Sequence, residues 1–190
     1  NMSTTVSPMC AVSRYLKTVR PGVITVFIGP CIAKKSETLD LNIKDNADYA
    51  MTFGEMRAML RAKDITLEPE DNSYQESSVF GKRFGNGGGV SAAVLECFKE
   101  MGEDIEPKVA KCSGGAECKK ALLLLKVGKL PEDFIEGMAC VGGCVGGPSK
   151  HKAETEAKKD RDALIASADG RKVLENLKKY PMDQFSMHRH

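Results

Sequence analysis

Two short segments concentrate the residue types that do chemistry. In Met138-Ala139-Cys140-Val141-Gly142-Gly143-Cys144-Val145-Gly146-Gly147-Pro148, two cysteines stand four apart among four glycines. Thiolates are soft ligands for iron–sulfur clusters and zinc. Glycines let a backbone approach a bulky inorganic group and turn its N–H groups toward sulfur, which tunes an iron–sulfur potential. A zinc knuckle fits less well, because it needs a second ligand pair nearby. The plain alternative is two buried thiols in a tight turn. The second segment is Gly29-Pro30-Cys31-Ile32-Ala33-Lys34-Lys35-Ser36-Glu37. A cysteine three residues before a lysine can be a stabilised thiolate, or the lysine can donate hydrogen bonds to an anionic ligand. Its plain alternative is a strand-end cysteine followed by a solvated charge run.

The elements that must position these residues read as an alternation of strands and helices. Ser7 and Pro8 suit the N-cap and first position of a helix, and Ala11, Val12, Tyr15 and Leu16 follow at helical spacing. Residues 23–28 form a β-branched run that reads as a buried strand, and residues 48–52 as a second, short one. Residues 53–62 read as a helix with Met56, Met59 and Leu60 inward. Residues 66–83 read as a surface loop, 85–89 as a glycine turn and 90–101 as a helix. Strands over 107–112 and 134–140 flank a helix over 117–127 with Ala121, Leu122, Leu124 and Leu125 apolar. Two charged helices, around 149–167 and 170–179, and a polar tail complete the chain. This order predicts an α/β fold, with helices packed on a mostly parallel sheet of about four strands. Ligand sites in such folds lie beyond the carboxyl ends of strands, where Cys31 and Cys140 both fall.

Composition narrows the class. Of the 190 residues, 42% are apolar and 28% charged, an ordinary globular balance with enough chain for a core. A net charge of +2 gives no electrostatic case for nucleic acid or an anionic membrane. No apolar run reaches the roughly 18 residues of a membrane span, and no signal peptide is read at the start. Asn1 reads as a tag remnant and Met2 as a start residue, leaving 3–190 as the domain. The seven cysteines are Cys10, Cys31, Cys97, Cys112, Cys118, Cys140 and Cys144, an odd number, so a disulfide framework is not expected and a reducing cytoplasm is.

Both cysteine segments resemble motifs of the FeFe-hydrogenases. Pro30 to Glu37 is similar to the family's Pro-Cys-x-x-Lys-Lys-x-Glu motif, and Met138 to Gly147 to its Met-Ala-Cys-x-Gly-Gly-Cys-x-x-Gly-Gly motif. Phe84-Gly85-Asn86-Gly87-Gly88-Gly89-Val90 resembles a further family segment, and Ser7-Pro8 a Ser-Pro step that contacts diatomic ligands. The matches run from residue 7 to 148 in family order. The resemblance implies one lobe of the iron hydrogenase catalytic domain, whose H-cluster joins a 4Fe–4S cubane to a di-iron subcluster. It implies that Cys31, Cys140 and Cys144 ligate the cubane and that Cys144 bridges to the di-iron unit. Lys34 would hydrogen-bond a cyanide ligand, Met138 and Phe84 would pack around the di-iron site, and Glu37 would lie on a proton path. Ser7, Pro8, Pro30 and Gly85 would line the cofactor. The parent would interconvert protons, electrons and hydrogen, with an upstream lobe and a ferredoxin-like iron–sulfur domain as its partners.

The sequence also departs from the pattern. The family's first motif, of Cys-Cys-Pro type, supplies the fourth cubane ligand upstream of the Ser-Pro step, and only six residues precede Ser7. Cys10 follows Pro8 and reads as a buried helical thiol. Gly29 stands where many members carry methionine, and the Gly146-Gly147-Pro148 ending is shortened. The isolated chain is therefore expected to be metal-free or to hold a labile cluster, and to be inactive. A sensory or iron–sulfur-binding module of the same fold is the alternative role, and a thiol or zinc protein with coincidental motifs a third. Cys97, Cys112 and Cys118 read as core or turn thiols, although Cys112 and Cys118 flank a Ser-Gly-Gly turn and raise the idea of a redox pair. Residues 85–89 lack the third glycine of a dinucleotide loop, and 147–150 are not a Walker A end. His151, His188 and His190 read as solvent-facing.

Overall fold

The computed structural model describes residues 2–68 and 77–189. The chain divides into two compact units. The terminal unit comprises Asn1–Glu68 and Leu177–His190, and the central unit Pro69–Asn176.

In the terminal unit, α1 (Pro8–Val19) leads through β1 (Val26–Gly29) and α2 (Ala33–Thr38) to β2 (Tyr49–Thr52) and α3 (Phe53–Ala62). Ser7 caps α1 by accepting from the Cys10 N–H, and Pro8 stands where a missing N–H costs nothing. The buried face of α1 is Met9, Cys10, Ser13 and Arg14, so Val12, at 57% exposed, points away from it. That face is half polar because it is satisfied: Ser13 shares a hydrogen bond with Thr25 (2.9 Å), and Arg14 donates to the carbonyls of Lys44 (3.0 Å), Ser186 (2.5 Å) and His188 (2.7 Å). Arg14 thereby holds the C-terminal tail, and Val6 N–H adds a bond to Met187 O (2.9 Å). Tyr15 meets Tyr180 edge-on at 5.1 Å. Val6, Cys10 and Ile43 form a small buried cluster with Ala11 against it.

β1 and β2 pair in parallel from Val26↔Tyr49 to Gly29↔Thr52, with α2 as the crossover. The residues 33–38, read as a charge run, are thus a short helix. α3 opens on a capping box in which Thr52 Oγ1 accepts from Glu55 N–H while Glu55 reaches back to Thr52 N–H. Its Met59 is 56% exposed, contrary to the inward position expected from spacing.

In the central unit, α4 (Val79–Lys82) runs into a 3-10 turn over Arg83–Gly85 and then α5 (Gly89–Met101). The loop expected over 66–83 therefore ends in a helix, and its residues 69–76 lie outside the described residues. β3 (Val109–Ser113), α6 (Gly115–Lys126) and β4 (Phe134–Met138) form a second parallel crossover, with Val109↔Phe134 through Ser113↔Met138 in register. A 3-10 turn over Gly143–Gly146 precedes α7 (Glu154–Ala166), and α8 (Val173–Leu177) ends at the boundary of the units. Glu100 caps α8 by accepting from Val173 N–H (2.6 Å) and Leu174 N–H (2.9 Å).

The α/β class and the parallel pairing match the expectation, and all four described strands are parallel. They form two two-stranded sheets rather than one sheet of four. Each strand–helix–strand segment closes on itself, and residues 53–108 separate the second pair from the first. So narrow a sheet offers α6 little surface. Ala121 is buried, while Leu122 and Leu125 stay exposed, against the apolar stripe expected of them.

Candidate functional site

The terminal unit places Cys31 immediately after β1, where the chain turns at Pro30 into α2. One turn of α2 sets Lys34 and Glu37 on the same face, and their ion pair closes at 2.5 Å. The other Glu37 oxygen accepts a short hydrogen bond from Ser7 Oγ. Asn46 Nδ2 donates to Glu37 O (2.7 Å) and anchors the end of the helix. Ser7, 30 residues before Glu37, thus joins Glu37 and Lys34 in one half-buried polar chain. The neighbouring Lys35 pairs with Glu55, whose carboxyl is held down to about 2 by Lys35 and by the Thr52 N–H. Phe27 folds its ring back over Gly29; a side chain there would come within 2.7 Å of the ring, so the space is already filled. Cys10 is fully buried, and burial pushes its thiol up, which favours the protonated form over the thiolate a metal requires.

The central unit builds around the end of β4. Met138 O accepts from Gly114 N–H (2.8 Å) and from the Cys118 thiol (3.7 Å), and Gly142 N–H donates to Ser113 Oγ (3.1 Å). The turn after β3 therefore grips the Cys140 loop on both sides. Gly143 N–H closes on Cys140 O (3.1 Å) and Gly147 N–H on Cys144 O (3.0 Å), winding the loop into its 3-10 turn. This turn packs against the Phe84–Gly85 turn. A Cβ on Gly85 would lie 3.6 Å from Cys144 Cβ, and one on Gly143 would lie 2.3 Å from Gly85 O. Gly143 also has φ +79°, so both backbone conformation and crowding require glycine there. Cys140 is half-buried and Cys144 exposed. Cys112 is buried in β3 with its thiol pushed up by burial, as suits a core thiol.

The family follows from a second kind of observation. Residues 1–148 match the iron-only hydrogenase large subunit, C-terminal domain. The chain belongs to that family. It is 31% identical over 160 residues to the periplasmic Fe hydrogenase large subunit of Nitratidesulfovibrio vulgaris, covering 66% of this chain and 38% of that protein. It is 26% identical over 218 residues to iron hydrogenase 1 of Clostridium pasteurianum, covering 89% of this chain and 38% of that protein. The structure of the FeFe-hydrogenase HydA(deltaEFG), described under stepwise H-cluster assembly, superposes with a TM-score of 0.66 at 19% identity, covering 98% of this chain and 66% of that chain. The chain thus spans about two fifths of the length of the curated relatives it matches.

Within this chain the residues singled out from the sequence fall into two sets. Ser7, Pro8, Pro30, Cys31, Lys34 and Glu37 belong to the terminal unit, and Phe84, Gly85, Met138, Cys140 and Cys144 to the central one. Among the described residues, no group of three or more His, Cys, Asp or Glu side chains is gathered as a metal site. Sequence reasoning missed Glu136, a buried carboxylate two residues before Met138. Its signal was a lone acid inside an otherwise apolar strand segment.

Proposed function

We propose that residues 3–190 are the C-terminal portion of an H-cluster domain whose parent interconverts protons, electrons and hydrogen. The observation that carries this reading is the Cys140–Cys144 turn closed against the Phe84–Gly85 turn, a glycine-crowded seat with two thiols and no room for larger side chains. The donor chemistry fits an iron–sulfur cluster in kind, since Cys31, Cys140 and Cys144 are soft ligands at strand ends. It falls short in number, since a four-thiolate cubane needs one more ligand and Cys10 is sequestered inside α1. When bound, the H-cluster supplies the exchange of electrons and protons with hydrogen. The chain's own residues supply its surroundings. Cys31, Cys140 and Cys144 would hold the cubane, with Cys144 at its di-iron side. Met138, Phe84, Gly85, Pro8 and Pro30 would exclude water around it. Lys34 would offer an ammonium to an anionic ligand. Glu37, bonded to the Ser7 hydroxyl and to Lys34, would accept and pass a proton.

The partners proposed are the remainder of the parent domain and a ferredoxin-like iron–sulfur domain, consistent with the larger subunits this chain resembles. A net charge of +2 supports no nucleic-acid partner. No helix among the described residues is long and apolar enough to cross a membrane. A cytoplasmic location is proposed from the odd cysteine count, although the Nitratidesulfovibrio relative is named as periplasmic. The isolated chain is proposed to hold no complete cluster and to be inactive. Anaerobic reconstitution of the longer parent with iron and sulfide, followed by iron analysis and hydrogen assays, tests the reading. Bound iron with hydrogen turnover, both lost in Cys144→Ser, is the expected result; zinc at unit stoichiometry, or neither iron nor turnover, rejects it.

A further inference from the structure

We infer that Glu136 is a positioning residue that sets the seat of Cys144. The inference rests on reading Cys140 and Cys144 as cluster ligands. Glu136 lies on β4, only 7% exposed, and its carboxylate receives three backbone donors from the start of α5. Gly88 N–H (3.0 Å) and Val90 N–H (3.3 Å) donate to Oε1, and Ser91 N–H (2.9 Å) to Oε2. These are donors that the first turn of a helix leaves without intrahelical partners, and the positive end of the helix dipole favours the negative charge. Ser91, 1% exposed, completes the grip by donating its hydroxyl to Gly88 O (3.2 Å).

What Glu136 holds is the far side of the cysteine turn. Gly89 N–H donates to Asn86 O (3.1 Å) and Asn86 N–H to Arg83 O (2.8 Å), so fixing Gly88 fixes the whole turn that carries Phe84 and Gly85. Gly85 O is the backbone atom against which Gly143 is crowded, and Gly85 Cα faces Cys144. Two residues beyond Glu136, Met138 O is tied to Gly114 N–H, and the loop after it to Ser113. β4 therefore carries both clamps: its end anchors the near side of the Cys140–Cys144 turn, and Glu136 anchors the turn it packs against. A carboxylate is the side chain suited to this task, because its two oxygens accept three N–H groups where an amide presents one acceptor and two donors.

The test uses the unloaded 190-residue chain, with amide hydrogen exchange at residues 88–91 and the alkylation rates of single cysteines by iodoacetamide, both read by mass spectrometry. In Glu136→Gln, exchange at residues 88, 90 and 91 is expected to accelerate about tenfold or more. Alkylation of Cys144 is expected to rise about threefold or more, while Cys31 in the terminal unit keeps its rate. Faster exchange with an unchanged Cys144 rate makes Glu136 only a helix cap and overturns the inference, as does no change in either. Should Glu136→Ala open the whole central unit, shown by Cys97 and Cys112 reacting together with Cys144, the isosteric Gln variant decides. Failure of the proposed function shows separately, as a parent that takes up no iron with Glu136 intact.

Discussion

Around Cys31 the structure is held by polar side chains: the Ser7 hydroxyl to Glu37, and the ion pairs Glu37 to Lys34 and Lys35 to Glu55. Around Cys140 and Cys144 it is held by backbone: glycine turns closed on each other, a strand carbonyl gripped by Gly114, and a loop amide gripped by Ser113. The two regions therefore differ in what disturbs them. Charge pairs at half-exposed positions contribute little to stability and leave their groups able to change partners or protons. Backbone-on-backbone packing tolerates no added atom, and it suits ligands that must be presented in one geometry. The region around Cys31 rests on exchangeable polar contacts, and the glycine region on close backbone packing.

Gly143→Ala attacks that contrast at its strongest point. A Cβ 2.3 Å from Gly85 O at φ +79° is expected to cost about 2–4 kcal/mol, read as a lower urea midpoint. A shift below about 0.5 kcal/mol would show that the turn is loose and the contrast wrong. Glu37→Gln removes the Lys34 pair but keeps the shape, so a loss of about 1 kcal/mol or less is expected. In the parent its effect on hydrogen turnover should exceed its effect on stability, and equal effects would reduce Glu37 to a structural role. Thr52→Ala, which removes the α3 capping box beside Lys35 and Glu55, is expected to cost about 0.5–1 kcal/mol with no change in cysteine reactivity.

The smallest effect concerns pH. Asp48 has its carboxyl held down to about 2 by the Thr25 N–H and by Lys17. A depressed acid contributes stability that is present above its unfolded pKa of about 4 and lost as the pH falls toward its folded value. Asp48→Asn should therefore lower the melting temperature by about 1–2 °C near neutrality, and that difference should shrink as the pH falls through about 2. A difference that does not shrink with falling pH would mean packing, not charge, carries the Asp48 contribution.

The elements were legible where local chemistry decides them. The Ser7–Pro8 start of α1, the glycine turn before α5 and the break of β1 at Gly29 follow from caps, turn residues and a β-branched run, whereas β4 stops at Met138, two residues short of the strand read over 134–140. The buried faces were less legible. Spacing on α1 marked Ala11, Val12, Tyr15 and Leu16, yet the helix buries Ser13 and Arg14, because distant hydroxyls and carbonyls meet them. Met59, Leu122 and Leu125 carry the right periodicity and stay exposed, since periodicity records a face but not whether anything covers it.

By itself, the sequence determined which residues can bind soft metals and which backbone must come close: cysteines at strand ends, with glycines beside them. Those are properties of residue type and short spacing, and they survive any arrangement of the rest. Only the tertiary structure decided that Ser7 meets Glu37 across thirty residues, that Phe27 fills the space over Gly29, and that Glu136 reaches the amides of Gly88, Val90 and Ser91. Each of these joins groups far apart in the chain, or turns a side chain back on its own backbone. Burial fixes such partners because an unpaired polar group costs more inside than the pairing does.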